Sequence, residues 1–111
     1  MLGIRLETHV TGVMQFPSRI EEALFRMTQE ALNNIRKHAG VKEAVLYITV
    51  TGTDVLLVVK DDGNGFQMTE QGPLPSIGVQ SIRDRAKSLG GHAEWVSDIG
   101  KGTELLIRLP Y

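Results

Sequence analysis

The stretch VLYITVTGTDVLLVVKDDGNGF, residues 45–66, contains two runs rich in β-branched residues, a short polar break between them and a glycine-rich polar ending. Val45 to Val50 and Val55 to Lys60 predict two strands, because branched side chains suit a pleated, half-buried surface. Thr51-Gly52-Thr53-Asp54 reads as the turn of an antiparallel hairpin, and the two strands are expected at the centre of a sheet. The second strand stops at Asp61-Asp62-Gly63-Asn64-Gly65-Phe66. There a carboxylate sits at a strand end, and two glycines let the backbone turn sharply and approach a ligand. An ionised Asp can accept hydrogen bonds from an amino group such as that of adenine. A plain Asp-Gly turn has the same spelling.

Upstream of the hairpin, Ile20, Ala23, Leu24, Met27, Ala31 and Ile35 recur at three- and four-residue spacing, the signature of a helix with one apolar stripe. Ser18 is expected as its N-cap, with Glu21 completing a capping box, and Gly40 as its stop. Ile4 to Val10 predicts a first strand, suited to a sheet edge. Downstream, residues 67–76 are polar, aperiodic and interrupted by Gly72, Pro73 and Pro75, which predicts a loop that is mobile until a ligand orders it. Val79, Ile82, Ala86 and Leu89 then line a second helix ended by Gly90-Gly91. Two strands follow, His92 to Ser97 and Thr103 to Leu109. Strand, helix, hairpin, loop, helix and two strands together suit helices layered on one face of a mixed sheet.

The bulk properties set limits. A length of 111 residues leaves room for one core, so residues 1–111 are read as one domain. An apolar fraction of 41% and a charged fraction of 23% are ordinary for a soluble globular protein. A net charge of -1 gives no bulk attraction to nucleic acid or anionic lipid, and neither is expected as a partner. No cysteine is present, which removes disulfides and thiolate zinc sites and fits a reducing compartment. No stretch approaches the roughly 20 apolar residues of a membrane helix.

Two further clusters carry chemistry. Glu30, Asn34 and His38 follow at i, i+4 and i+8 on the long helix, with Lys37 beside them. An asparagine carbonyl is a hard oxygen ligand for magnesium, a lysine is a point charge for phosphate, and a glutamate can orient a water. The same stripe is equally the solvated face of an amphipathic helix, and His38 suits a helix C-terminus. Gly78 opens the second helix, whose N–H groups and positive dipole end suit an anion. Gly100-x-Gly102-Thr103 precedes the last strand. Each of these also reads as an ordinary loop or turn. Neither a P-loop nor a dinucleotide fingerprint is present.

Together these segments resemble the GHKL ATPases, and within them the ATP-binding domain of two-component sensor histidine kinases. Glu30-Ala31-Leu32-Asn33-Asn34-Ile35-Arg36-Lys37-His38-Ala39 is similar to the N box, and Asp61-Asp62-Gly63-Asn64-Gly65-Phe66 to the first glycine box. Gly78 to Ala86, Leu89-Gly90-Gly91 and Gly100-Lys101-Gly102-Thr103 are similar to the second glycine region. The wording is most similar to the subfamily of nitrate sensors, the membrane-fluidity sensor of bacilli and cell-envelope stress sensors.

The resemblance implies an α+β fold, a two-layer sandwich of the Bergerat ATP-binding type with about five strands and helices on one face. It implies ATP and magnesium as cofactors. Asn34 would bind the metal and act with Glu30 at the reaction centre, while Lys37 and His38 would lie near the phosphates. Asp61 would bond the adenine amino group, Gly63 and Gly65 would hinge the lid, and Gly78 and Val79 would meet the phosphates with their backbone. Gly100 and Gly102 would line the site, and Thr103 would reach the adenine, often through water.

The expected partners are the dimerisation and phosphoacceptor domain of a parent kinase and, through that kinase, its response regulator. None of His9, His38 and His92 fits the acceptor role, so the chain is expected to be the ATP-holding module alone and not to phosphorylate itself. It is expected in the cytoplasm, with the membrane contacted only by other parts of the parent. A serine kinase of the anti-sigma type and a non-catalytic nucleotide-binding module are the alternatives.

Overall fold

The structure, a computed structural model, describes residues 5–12, 15–35, 43–63, 68–69, 72–73, 77–97 and 102–111. Among these, β1 (Arg5–Thr11) leads to helix α1 (Ser18–Asn34), followed by β2 (Glu43–Val50) and β3 (Asp54–Asp61). A two-residue pair, β4 (Met68–Thr69) and β5 (Gly72–Pro73), precedes helix α2 (Ile77–Ser88), and β6 (His92–Ser97) and β7 (Thr103–Pro110) end the chain. Five strands form one mixed sheet in the order β1-β2-β3-β7-β6. β1 runs parallel to β2 and every other neighbour is antiparallel. A parallel pair needs a crossover between its strands, and α1 is that crossover.

One face of the sheet carries the core. Burial in β3 alternates residue by residue, with Val55, Leu57 and Val59 inward, as a pleated strand requires. The register extends that layer sideways: Leu46 lies opposite Val59, Val59 opposite Leu105, and Leu105 opposite Trp95. Against it pack Ile20, Met27 and Ala31 of α1 and Val79, Ile82 and Ala86 of α2. α1 rests on β3, α2 on β6 and β7, and the helices pack against each other. The α+β class, the mixed sheet and the one-sided helical layer agree with the expectation from the sequence. Leu57 is 0% exposed in the middle of this layer. Leu57→Ala is therefore expected to lower unfolding free energy by about 2–5 kcal/mol, measured by urea titration.

The helix start differs from expectation. Pro17, at φ -57 and ψ 150, is the N-cap, and no side chain caps the helix. Its carbonyl accepts from the N–H of Ile20 at 2.9 Å and of Glu21 at 3.1 Å. Ser18 is thus the first helical residue, and no capping box forms. The ring of Pro17 fixes its φ and leaves it no N–H to donate, both of which suit the extended residue just before a helix. β1 spans Arg5–Thr11 and lies at the sheet edge. The segment read as a loop contains the β4–β5 ladder, which pairs Met68 with Pro73 and Thr69 with Gly72.

α2 ends as read. The N–H of Gly91 bonds the carbonyl of Ala86 at 2.8 Å and that of Gly90 the carbonyl of Lys87 at 3.0 Å. Gly90 takes φ 75, the left-handed closure that glycine favours. Gly40 lies outside the described residues.

Candidate functional site

Topology gathers the polar clusters at one end of the molecule. α1 finishes at Asn34 and the chain re-enters the sheet at Glu43, the end of β2 that adjoins the close of β3. α2 packs on β6 and β7 and returns through Gly90 and Gly91 into the start of β6, so its N-terminal turn is directed toward the end where Ser97 closes β6. The guanidinium of Arg83 sits 5.1 Å over the Trp95 ring and ties α2 to that strand.

Asp61 is the charged side chain buried among the described residues, at 9% exposure. It occupies an inward position at the last step of β3, where the alternation that buries Val55, Leu57 and Val59 places a carboxylate instead of a fourth aliphatic group. The N–H of Gly63 donates to its Oδ1 at 2.8 Å, closing the turn. Burial raises its pKa above the ordinary carboxylate value, the charge of Asp62 pushes the same way, and the Gly63 bond opposes both. Desolvating a carboxylate is unfavourable unless something compensates, and such positions are frequent at functional sites.

Thr103 lies directly across from Asp61 in the β3–β7 ladder and across from Ser97 in the β6–β7 ladder. The Ser97 and Thr103 hydroxyls are 2.9 Å apart, and Ser97 also donates to the Gly102 carbonyl at 2.9 Å. Asp61, Asp62, Ser97, Gly102 and Thr103 share the lining of a cleft of about 300 Å³. Gly102 has φ 83, and a Cβ on it would stand 2.2 Å from the Asp61 carbonyl oxygen. The glycine is required because two backbones meet there.

Glu30 and Asn34 are both half-buried in the last turns of α1. Among the described residues no three His, Cys, Asp or Glu side chains cluster as a metal site. Lys37, His38, Gly65 and Gly100 lie outside the described residues. The structure thus joins Asp61, Gly63, Gly102 and Thr103 through the β3 turn and the β3–β7 ladder, while Asn34 closes α1 and Gly78 and Val79 lie in the first turn of α2. Ser97 was missed from the sequence. Its signal was a polar residue two steps beyond the inward Trp95, where alternation predicts another inward side chain.

Comparison with known proteins follows the same lines. Residues 19–111 match the family model described as histidine kinase-, DNA gyrase B-, and HSP90-like ATPase. The chain is 34% identical over 110 residues to the sensor histidine kinase YhcY of Bacillus subtilis, covering 99% of this chain and 29% of that protein. It is 36% identical over 91 residues to the sensor histidine kinase LiaS of the same organism, covering 82% and 25%. The signal transduction histidine-protein kinase/phosphatase DegS of Brevibacillus brevis is 35% identical over 102 residues, covering 92% and 26%. The chain therefore spans less than a third of the length of these relatives. The histidine kinase domain from the Erythrobacter litoralis EL346 blue-light activated histidine kinase superposes with a TM-score of 0.73 at 22% identity. That match covers 97% of this chain and 52% of the other, a likeness of fold.

Proposed function

Since this chain belongs to the family of histidine kinase-, DNA gyrase B- and HSP90-like ATPases, we propose that it binds Mg-ATP and offers the γ-phosphoryl group to a histidine on another domain of a longer sensor kinase. The observation that carries the reading is the Asp61 carboxylate, buried at the end of β3 directly across from Thr103. A carboxylate there accepts from the exocyclic amino group of adenine. The N–H groups of the first α2 turn, at Gly78 and Val79, face the anionic phosphates.

Magnesium fits the donor set at the α1 end, because Asn34 supplies a neutral hard oxygen and phosphates and waters complete an octahedron. When bound, the ion neutralises charge on the phosphate oxygens. Asn34 would hold it, Glu30 would orient a water beside it, and Lys37 and His38 would add charge for the phosphates. Positioning and charge neutralisation account for the chemistry, and no covalent intermediate on this chain is needed. The domain acts in the cytoplasm as a module of its parent, whose phosphohistidine then serves a response regulator. No described helix is long and apolar enough to cross a membrane.

Asn34→Ala is expected to weaken Mg-ATP binding by about ten- to a hundred-fold, the loss of one hydrogen-bond-strength contact to a charged group. In EDTA the variant and the wild type should bind ATP alike. Calorimetric titration in both buffers checks this, and an equal loss without metal would remove Asn34 from the ion. Incubation with radiolabelled ATP and a purified phosphoacceptor domain tests the transfer. Acid-labile phosphate indicates histidine, acid-stable phosphate points to a serine kinase, and no transfer despite tight binding leaves a nucleotide-binding module.

A further inference from the structure

We propose that β1 is a self-association edge, through which two copies of this chain pair antiparallel about a two-fold axis at Thr8 and join their sheets into one. The proposal does not rest on the nucleotide reading, because β1 lies at one margin of the sheet and the Asp61 cleft is built on β3, β7 and β6.

An edge strand presents a row of backbone N–H and C=O groups that can template another strand, and proteins blunt such edges with Lys, Pro or a bulge. β1 uses none of these. Its sequence, RLETHVT, contains neither Lys nor Pro, and its residues pair one to one with β2 without a bulge. Leu6 to Thr11 are all exposed. Leu6 and Val10 lie beside the buried Ala44 and the core-packed Ile48, on the helical face of the sheet, yet they are 39% and 50% exposed. They carry the apolar layer beyond the last strand that the helices cover.

The occupant follows from the spelling of the strand, which complements its own reverse. With the axis at Thr8, Leu6 lies opposite the partner's Val10 and Glu7 opposite the partner's His9, and symmetry makes each contact twice. Directly opposed residues share a face, so the apolar contact forms on the helical side and the carboxylate–imidazole contact on the open side. Within one copy the Glu7 Oε2 lies 3.6 Å from the His9 Nε2, and the His9 ring stacks on Tyr47 with centroids 5.1 Å apart. Two copies therefore close a ring of alternating carboxylates and imidazoles. Moving the axis to Glu7 sets carboxylate against carboxylate, and moving it to His9 sets Val10 against Thr8. Only the axis at Thr8 matches both faces.

Sedimentation equilibrium of the 111-residue chain, in a concentration series reaching about 1 mM, should show a reversible dimer of the strength expected of a short interface. Val10→Lys puts a charge into the apolar contact and should weaken the dimer by more than about tenfold. Glu7→Lys and His9→Glu should each weaken it by about tenfold, since the axis applies every change twice. An equimolar mixture of these two single variants should associate again. In the mixed pair the introduced lysine faces the introduced glutamate, and the remaining His9 faces the remaining Glu7. Circular dichroism melts establish that each variant is folded, and Val10→Lys should bind Mg-ATP as the wild type does. Should Val10→Lys fail to fold, the two charge variants, both on the open face, carry the test. A chain that stays monomeric throughout, a dimer that folded Val10→Lys leaves intact, or a mixture that fails to associate would overturn the proposal and leave ATP binding standing. A dimeric wild type that binds no nucleotide would support the pairing and overturn only the nucleotide reading.

Discussion

Asp61→Asn is expected to reduce Mg-ATP affinity by about a hundred-fold or more while making the nucleotide-free domain more stable. The amide keeps an oxygen for the Gly63 N–H, which bonds Oδ1 at 2.8 Å, so the turn survives. It removes the charge and places an NH₂ where the adenine amino group must donate, so that donor meets donor. Losing a charge-assisted bond and leaving a buried donor unmatched together account for the size of the effect.

The stability gain follows from burial, the main cause of the raised Asp61 pKa. A carboxyl whose folded pKa is raised binds its proton more tightly in the folded state. Its favourable contribution is present below the ordinary value of 3.8 and is lost as pH climbs through the raised folded value. At neutral pH the ionised group is a standing penalty that asparagine lacks. Thermal melts should therefore show the variant more stable at neutral pH, by a few degrees, and the gain should shrink in acid. Unchanged ATP affinity in a folded variant would remove Asp61 from the nucleotide site.

Gly102→Ala should be the most damaging single-methyl addition at the cleft, lowering stability by about 2–4 kcal/mol and weakening nucleotide binding with it. Gly102 has φ 83, a conformation in which any Cβ is strained. The new carbon would also stand 2.2 Å from the Asp61 carbonyl oxygen and 2.9 Å from the Asp62 Cα. Both are backbone atoms, so relief requires moving the turn that carries Asp61. The Ser97 bond to the Gly102 carbonyl would shift with it. Gly52→Ala is the control, since a Cβ there meets nothing within 4 Å. Urea unfolding of the two variants should separate them widely, and equal midpoints would refute the close approach.

Much of the architecture was legible because it rests on local periodicity. The β-branched runs of β2 and β3, the apolar stripe of α1 and the Gly90-Gly91 closure of α2 each report on residues a few positions apart. The N-cap was displaced by one residue because the geometry of Pro17 prevailed over the capping preference of Ser18. The β4–β5 ladder carries too few residues for a period to show. Glu30 and Asn34 stayed ambiguous in the sequence because a ligand-facing stripe and a solvated one have the same spacing. In the structure both are half-buried, as are Thr28 and Asn33 on the same helix.

The sequence by itself determined the order of the two helices and of the five strands of the main sheet, the inward-facing sets of β3 and α1, and the residue types on which phosphate, metal and amino-group chemistry draw. Only the tertiary structure decided that Thr103 stands between Asp61 and Ser97, that Gly102 touches the backbone of Asp61, and that β1 pairs with β2 in parallel. The physical reason is that these depend on strand order and register. Both are set by packing one shared core between residues far apart along the chain, and no local pattern encodes which strands become neighbours.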